Sequence, residues 1–405
     1  MQSTNVLRVL NLQSVSRLSV IGGRSFCMNA DFETNTFTTQ HHQRLNQLIR
    51  GRRYEQAQSF FERVYQQGNQ PTMTTQYIIH DCLIKQDKDS EAFRLLETTK
   101  EESTFVDARI YNPLITALAT NGKIDQALEL METMKQNNIS PNGGSYGGLI
   151  RGYSGEGAMD KAVEVIEQMG AAGIVPNQQT FTHIIEGYVR AGQMDEAKAV
   201  VEQIKADGGM PSNTMYQALI RGHFRQGDVD TALAVVEEMK SVGNELDGRI
   251  FNSLVAGYAA NEKFDEAKAT IAEMEANLIT PNTFTYGGLI RGYCKAGKFD
   301  EAQSVLETMK EKDVERTRQN YAIIINGLIK AEQPEEALNV ITAMKAESIN
   351  PLAYMYADIV SLFEQQGNDE RAREISNLAE EEKEAFAQRR GNQQGNNRGS
   401  SFSFQ

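Results

Sequence analysis

Small and apolar residues recur along this chain at a fixed interval of 35 residues. The clearest marker is alanine, and the positions that keep the interval without an insertion are Ala57, Ala92, Ala127, Ala162, Ala197, Ala232, Ala267, Ala302, Ala337 and Ala372. A period of about 20–50 residues is typical of stacked-repeat proteins. The pattern therefore predicts ten repeats that end near Phe386 and start at Phe37, Thr72, Asp107, Asn142, Asn177, Ser212, Asp247, Asn282, Thr317 and Leu352.

Other residue types keep the same interval within each repeat. An aromatic residue and an aliphatic residue three positions later come before most of the alanines, as in Tyr111 with Leu114, Tyr146 with Leu149, Phe181 with Ile184, Tyr216 with Leu219, Phe251 with Leu254, Tyr286 with Leu289, Tyr321 with Ile324 and Tyr356 with Ile359. Glycine separates two halves at Gly122, Gly157, Gly192, Gly227, Gly297 and Gly367, and proline closes repeats at Pro71, Pro141, Pro176, Pro211, Pro281 and Pro351. Because both residues interrupt helices, this order predicts a helix, a turn, a second helix and a second turn.

The repeat from Asn142 to Pro176 illustrates the predicted elements. We expect Ser145 to cap the first helix, Gly155 and Gly157 to end it, and Asp160 to open the second helix. The residues expected to face the core are Tyr146, Leu149, Ile150, Tyr153, Ala162, Val163, Val165, Ile166 and Met169. Neither helix can bury its apolar side alone, so neighbouring repeats are expected to stack.

Pro113 is the one proline placed within a predicted first helix. Proline is tolerated in the first turn of a helix, where its missing N–H costs little. The pattern therefore predicts that this helix starts near Tyr111.

The two ends of the chain depart from the repeat pattern. Residues 1–30 contain Arg8, Arg17 and Arg24, five serines and no acidic residue, a composition typical of an organelle transit peptide. The run Arg24-Ser25-Phe26 is similar to a mitochondrial processing site, so we expect the mitochondrial matrix rather than a plastid; an unstructured basic N-terminus is the alternative. Residues 387–405 are rich in glycine, asparagine and serine, which predicts a disordered polar tail.

Composition argues against several other classes of protein. Cys27, Cys82 and Cys294 share no spacing typical of metal ligands, so we predict neither a zinc site nor a disulfide framework. No apolar run is long enough to span a bilayer, so we expect no membrane insertion. No motif for a metal or an organic cofactor is present, and none is predicted.

The repeat pattern resembles the pentatricopeptide repeat, through Tyr-x-x-Leu-Ile, a central glycine, Asp/Glu-x-Ala and a closing Pro-Asn. The segment from Asn282, Asn-Thr-Phe-Thr-Tyr-Gly-Gly-Leu-Ile-Arg-Gly-Tyr-Cys-Lys-Ala-Gly-Lys-Phe-Asp-Glu-Ala, is similar to that consensus almost throughout. The tetratricopeptide repeat has a period of about 34 residues and favours tryptophan, which this chain lacks. The resemblance covers residues 37–386 and is weaker in the first two repeats, where His41 and Gln76 replace the aromatic residue. It implies an all-α, right-handed superhelical α-solenoid of the P type, without a catalytic C-terminal domain.

The resemblance also implies binding of single-stranded RNA, one base per repeat, by two reading positions. The first position follows the aromatic residue of the first helix, and the second follows the closing proline. Carried over to this chain, the reading pairs are His42/Thr72, Tyr77/Asp107, Asn112/Asn142, Gly147/Asn177, Thr182/Ser212, Gln217/Asp247, Asn252/Asn282, Gly287/Thr317 and Ala322/Leu352.

The side chains at these positions differ in what they offer to a base. An asparagine amide both donates and accepts hydrogen bonds, so Asn112/Asn142 and Asn252/Asn282 can read a base edge and resemble pyrimidine combinations. Thr182/Ser212 is a weaker, purine-like pair. The first positions without a polar side-chain atom are Gly147, Gly287, Ala322 and Ala357. So few strong pairs predict low sequence selectivity.

Basic residues follow the first reading position by four and eight residues, and these spacings share one helix face. The positions four residues later hold Arg151, Arg221 and Arg291, and those eight residues later hold Arg50, Lys85, Arg190, Arg225, Lys295 and Lys330. We call this set the basic ladder. It is expected to contact RNA phosphates, since phosphate contacts supply much of non-specific affinity, and the alternative is an ordinary solvated face.

The net charge of the chain is negative, which is unusual for a nucleic-acid-binding protein. The chain carries −13, or −16 once the three arginines of residues 1–30 are removed, whereas nucleic-acid binders are typically basic. Part of the acid lies at predicted starts of second helices, at Asp125, Asp160, Asp195, Asp230, Asp265 and Asp300, where carboxylates are expected to cap N–H groups and meet the positive end of the helix dipole. We therefore expect a basic inner layer and an acidic convex outer layer.

Catalysis is not expected. The histidines at positions 41, 42, 80, 183 and 223 start no His-x-Glu motif, and the chain has no Cys-x-x-Cys and no phosphate loop. Three functions stay open: an RNA-binding factor in mitochondrial RNA processing, stability or translation; a subunit of the mitochondrial ribosome that contacts rRNA and ribosomal proteins; and a scaffold that binds proteins in its groove.

Overall fold

The computed structural model describes residues 38–50, 53–69, 72–84, 86, 88, 90–94, 96 and 108–380. Helices α1 to α18 cover, in chain order, Thr39–Arg50, Tyr54–Gln66, Met73–Ile84, Ala108–Thr120, Ile124–Gln136, Gly143–Glu156, Met159–Ala171, Gln178–Ala191, Met194–Ala206, Asn213–Gln226, Val229–Ser241, Gly248–Ala260, Phe264–Ala276, Thr283–Lys295, Phe299–Glu311, Arg318–Lys330, Pro334–Ala346 and Ala353–Gln365. Residues 90–94 and 369–380 are also helical. The prediction of an all-α repeat array is confirmed, while the predicted transit peptide (1–30) and tail (387–405) lie outside the described residues.

The chain divides into two compact units, Met1–Gly222 and His223–Gln405. In the first unit, the first helices of successive repeats, α4, α6 and α8, pack one against the next. In the second unit the same holds for α12, α14, α16 and α18. A first helix also packs on the second helix of its own repeat, as seen for α1, α4, α6, α8, α12, α14 and α16. Stacking of neighbouring repeats then buries the apolar surface that a single helix pair leaves exposed. None of the described helices combines the length and the apolar composition that crossing a bilayer requires.

The alanines that mark the period are buried in the core. Nine of them have 0% solvent exposure and the tenth, Ala372, has 3%. The aromatic residues at the start of the first helices are also buried, with Tyr111 and Tyr216 fully inaccessible. A small side chain at one position and a large one at another fill the space between helices.

Glycine lets the first helices of each unit approach backbone to backbone. A Cβ added at Gly152 of α6 would lie 2.5 Å from the Ala119 Cβ and 2.8 Å from the Ala119 carbonyl oxygen of α4. In the second unit, a Cβ at Gly292 of α14 would lie 2.5 Å from the Ala259 Cβ of α12. No larger residue fits at either contact, so these glycines determine the spacing of the first helices.

The first helices begin earlier than predicted, which corrects the role of Ser145. Helix α6 starts after Asn142, whose extended backbone and side-chain oxygen make it the N-cap, with Oδ1 accepting from Gly144 N at 2.9 Å. The Ser145 hydroxyl instead accepts from the Asn142 backbone N–H at 3.2 Å, which completes a capping box. Gly157 ends the helix in the left-handed conformation (φ 77°), as expected, whereas Gly155 lies inside it.

The aspartates of the second helices are also placed differently from the prediction. All six lie in the first turn, where their carboxylates meet the positive end of the helix dipole. They lie two residues too far along the chain to cap, because the N-cap of α7, for example, is Ala158, whereas the aspartate is Asp160. Among the described second helices, a side-chain cap is formed by Asp228, which accepts from Thr231 N at 3.1 Å.

The prediction for Pro113 is wrong. Helix α4 starts at Ala108, so Pro113 lies beyond the first turn and inside the helix. At that position proline cannot donate to the carbonyl of Arg109 four residues earlier, yet the helix continues to Thr120. Packing of α4 on α6 and α5 therefore outweighs the local cost of the proline.

Candidate nucleic-acid interface

The structure brings the reading pair Asn112/Asn142 into direct contact in the first unit. The Asn112 side chain donates from Nδ2 to Asn142 Oδ1 at 2.9 Å. The hydroxyl of Ser145, fully buried, donates to Asn112 Oδ1 at 2.6 Å. Ser145, the third residue of α6, therefore holds the two asparagines in position.

In the second unit, the residues of the pair Asn252/Asn282 are also linked by a hydroxyl of the following first helix. The buried Thr285 hydroxyl donates to Asn252 Oδ1 at 2.5 Å. Asn282 is the N-cap of α14, and its Oδ1 accepts from the backbone N–H groups of Phe284 (2.9 Å) and Thr285 (3.2 Å). In both pairs, the third residue of a first helix links the asparagines of two adjacent repeats.

These contacts leave part of each amide available to a ligand. The side-chain oxygens of Asn142 and Asn282 serve as caps, whereas their Nδ2 groups have no hydrogen-bond partner among the described residues. Both residues are exposed. Each presents two N–H donors, which suit the carbonyl oxygens of pyrimidines or the ring nitrogens of purines.

The other predicted pairs differ. Thr182 donates its hydroxyl to the Gln178 carbonyl at 2.8 Å, and the Ser212 hydroxyl bonds the Thr214 hydroxyl at 2.7 Å. Partly buried Gln217 belongs to the first unit and Asp247 to the second, where Asp247 caps α12 and pairs with Arg249 at 2.9 Å.

In the first unit, the basic ladder consists of exposed Arg151, Arg190 and Arg221 on α6, α8 and α10. Arg190 Nη1 also donates to the Ser154 carbonyl at 3.3 Å, near the C-terminus of α6. A cation at that end of a helix interacts favourably with the last carbonyls and with the negative end of the helix dipole. Arg190 therefore stabilises the stack of repeats as well as offering charge to a ligand.

In the second unit, the basic ladder consists of exposed Arg225, Arg291, Lys295 and Lys330. Lys295 repeats the role of Arg190, since its Nζ donates to the Ala260 carbonyl at the end of α12, at 3.0 Å. The side chain of Arg50 and the whole of Lys85 lie outside the described residues.

Models of known protein families match successive parts of the repeat region. One described as the pentacotripeptide-repeat region of PRORP matches residues 62–241. A pentatricopeptide repeat domain matches 243–290, a PPR repeat matches 277–310, and a pentatricopeptide repeat-containing protein model matches 294–386. The chain is a pentatricopeptide repeat protein. The resemblance inferred from the 35-residue period is confirmed.

Solved structures that match this pentatricopeptide repeat protein are distant in sequence. The crystal structure of PPR10 from maize is 20% identical, with 83% of this chain and 57% of that chain covered and a TM-score of 0.43. Yeast Rmd9p in complex with a 16-nt target RNA is 15% identical, covers 93% of this chain and 76% of that chain, and has a TM-score of 0.40. The PPR domain of Arabidopsis thaliana protein-only RNase P 1 in complex with tRNA is 16% identical, over 47% of this chain and 95% of that domain, with a TM-score of 0.35. No curated protein matches the chain by sequence.

Three features of the interface were missed from the sequence. The hydroxyls of Ser145 and Thr285 position the reading amides, and their signal is a polar residue directly before a periodic aromatic residue. Phe284 lies one residue before Thr285 and is 79% exposed, which makes it a surface on which a base can stack. Glu186 occupies the position at which Arg151 and its equivalents stand in other repeats, so the basic ladder contains an acid.

Groups able to hold a metal ion are absent from the described part of the chain, where no three histidine, cysteine, aspartate or glutamate side chains cluster. Cys82 is buried, and burial raises the pKa of the Cys294 thiol to about 11. A thiol with so high a pKa is a poor nucleophile at neutral pH. The chemistry of this surface is therefore hydrogen bonding, charge and stacking.

Proposed function

We propose that this protein binds single-stranded RNA without catalysis, in the mitochondrial matrix, and acts in RNA processing, stability or translation. The observation that carries the proposal is the pairing of side chains from adjacent repeats, Asn112 with Asn142 at 2.9 Å, on a face that also bears the basic ladder. Amide donors for base edges and cations for phosphates then occur together, which is the combination that single-strand recognition uses.

The distribution of charged residues supports RNA binding that depends more on the RNA backbone than on the bases. Basic-ladder residues are exposed in both units, whereas the first reading positions Gly147, Gly287 and Ala322 offer no side-chain polar atom. Phosphate contacts act on every sequence alike, and amide contacts act at few positions. We therefore expect moderate affinity for many single strands, with preference confined to the bases opposite the two asparagine pairs.

The proposal is tested by binding of fluorescently labelled single-stranded RNA, measured by anisotropy over a range of salt concentrations. Reversing Arg291→Glu and Lys295→Glu together removes two phosphate contacts and is expected to lower the slope of log affinity against log salt by about 1–2. The matched control reverses Lys240 and Lys310, which are exposed on second helices. Equal loss in both double variants, or no RNA binding by the parent chain, contradicts the proposal.

Base reading has its own test. Replacing Asn252→Ala and Asn282→Ala is expected to reduce binding of the preferred RNA several-fold while leaving a non-preferred RNA unchanged, because each base contact contributes about 1–3 kcal/mol of discrimination. Equal affinities of parent and variant for both RNAs would show that these amides serve only the fold.

A subunit of the mitochondrial ribosome is the second candidate. It is favoured by the acidic first turns of the second helices, since an acidic surface suits basic ribosomal proteins, and by the net charge of −13. Sedimentation of an organelle extract separates the candidates. Co-migration with a ribosomal subunit after a high-salt wash supports the ribosomal role, and free migration supports the separate RNA-binding factor. A protein-binding scaffold remains the outcome if charge reversal leaves RNA affinity unchanged.

The location is proposed from residues 1–30, which resemble a transit peptide. Fusing these residues to a fluorescent protein is expected to direct it to mitochondria. Plastid import or a diffuse signal would overturn the proposed location without affecting RNA binding.

A further inference from the structure

A polar cavity of about 360 Å³ lies in the first unit, lined mainly by residues of α6 and α8. Its wall includes Gly152, Gly155 and Gly187, which place backbone where other residues would place side chains. The size is within the range of pockets that hold small molecules. The space exists because position 155 carries glycine where the equivalent position of the next repeat carries Arg190.

Ser154 places beside this cavity a buried hydroxyl that the other repeats lack. The equivalent positions, at intervals of 35 residues, hold Ala119, Val189, Phe224, Ala259, Cys294 and Ile329. Ser154 is 3% exposed, lines the cavity, and its Oγ has no hydrogen-bond partner within the described residues. A Cβ added at Gly187 would lie 2.9 Å from this Oγ, so the hydroxyl is packed between α6 and α8 and does not face the cavity.

The charges that line the cavity are balanced. Two basic residues, Arg151 and Arg190, and two acidic residues, Glu156 and Glu186, line it. Glu186 stands where the neighbouring repeats carry arginine, and its Oε2 lies 4.0 Å from Nδ1 of His183. The nearby His183, Arg190 and Arg221 side chains lower the pKa of Glu186, so its carboxylate is ionised at neutral pH. Paired charges of both signs disfavour a phosphate and favour a neutral molecule with both donors and acceptors.

Guanine is the RNA base that matches this arrangement. Its Watson–Crick edge presents two adjacent donors, N1–H and N2–H, beside the acceptor O6, and an ionised carboxylate accepts two parallel hydrogen bonds. We propose that this cavity binds one guanine base, with Glu186 accepting from N1–H and N2–H. Arg151, expected from the sequence to contact phosphate, would here donate to O6 and N7 instead. The proposal rests on the proposed function, since it takes the base from bound single-stranded RNA.

The test compares labelled RNAs that differ at one position. The probes are an oligouridine of about 14 nucleotides and the same strand with one central guanosine or one central adenosine. The guanosine strand is expected to bind about tenfold more tightly than the other two, as for a good two-bond contact to a base. Guanosine and adenosine monophosphates serve as competitors, to distinguish a base within RNA from a free nucleotide.

Two variants test which side chain carries the effect. Glu186→Gln keeps the size but sets an amide against the guanine donors, and is expected to abolish the tenfold preference while oligouridine still binds. Ser154→Ala is expected to keep the preference with an unchanged or higher melting temperature, because it removes an unpartnered hydroxyl that is packed between helices and does not reach the base. The matched control is Glu167→Gln, on the exposed side of α7, which leaves the preference intact.

The outcomes separate this proposal from the proposed function. If oligouridine binds and guanosine adds nothing, or if Glu186→Gln keeps the preference, the guanine site is overturned and RNA binding stands. If no strand binds but guanosine monophosphate binds more tightly than adenosine monophosphate, RNA binding fails, and the base comes from a free nucleotide. If neither strand nor nucleotide binds, both proposals fail.

Discussion

The contact between first helices gives a sharp test of what holds the repeats together. The perturbation is Gly152→Ala in α6. The added methyl group would lie 2.5 Å from the Ala119 Cβ and 2.8 Å from the Ala119 carbonyl oxygen. Two of the nearest atoms belong to the backbone of α4, so no change of side-chain rotamer relieves the contact, and the two helices must separate.

The expected change in the free energy of unfolding is the sum of two opposite effects. Replacing a helical glycine with alanine stabilises a helix by roughly 0.5–1 kcal/mol. Forcing an extra methyl group into a packed contact costs about 1–3 kcal/mol. Because the overlap in this contact involves backbone, we expect the packing cost to exceed the gain, for a net loss of about 1–2 kcal/mol.

Gly147, in the same helix, provides the control. A Cβ there would have no neighbour within 4 Å, so Gly147→Ala is expected to stabilise the chain by about 0.5–1 kcal/mol. Both variants are compared by urea denaturation followed by circular dichroism, with equal slopes required before midpoints are converted to free energies. If Gly152→Ala raises the midpoint as Gly147→Ala does, close backbone contact does not determine the spacing of the first helices, and the reasoning is refuted.

Three further predictions concern side chains outside the interface. Glu347→Ala is expected to cost about 1–3 kcal/mol in urea denaturation, because it leaves the Tyr321 hydroxyl (2.7 Å away) and a partly buried arginine without their acceptor; an unchanged midpoint would contradict this. Hydrogen bonds from Thr231 lower the pKa of Asp228, so its stabilising contribution is complete above the pKa of the unfolded chain and is lost as the pH falls below about 4. Asp228→Asn should therefore flatten the dependence of stability on pH in this acid range. Identical acid profiles of parent and variant would refute the role of Asp228. With the other two cysteines replaced by serine, Cys294 should react with a thiol reagent at about pH 8 roughly a hundredfold more slowly than a free cysteine, since its pKa is about 11, whereas a rate near that of the unfolded chain would contradict its burial.

The repeat architecture was predictable because packing follows the period. The alanine position is buried in every repeat, so a small residue is needed there each time. The constant interval between these residues can therefore be counted directly in the sequence. Helix boundaries were less predictable. Both Ser145 and Asp160 are good capping residues by type, but the backbone of Asn142 and Ala158 takes the cap position, and side-chain type does not reveal where the backbone leaves the helix.

The second reading position shows how structure changes an interpretation. Asn142, Asn177, Asp247 and Asn282 are all N-caps of first helices, with side-chain oxygens that accept from the helix N–H groups. Their residue types are therefore explained by capping before any RNA is considered. What remains specific to recognition is the free amide nitrogen of the asparagines, which a cap does not use.

By itself the sequence determined the length and number of the repeats, the residues of the core and the positions of the basic ladder. All of these follow from local helix periodicity and from a constant interval along the chain. Only the tertiary structure decided which amides meet, that Arg190 and Lys295 bind carbonyls of the preceding repeat, and that Ser154 and Glu186 line one cavity. These contacts join residues about one repeat apart, and they depend on how closely two helices approach, which the glycines and alanines between them determine.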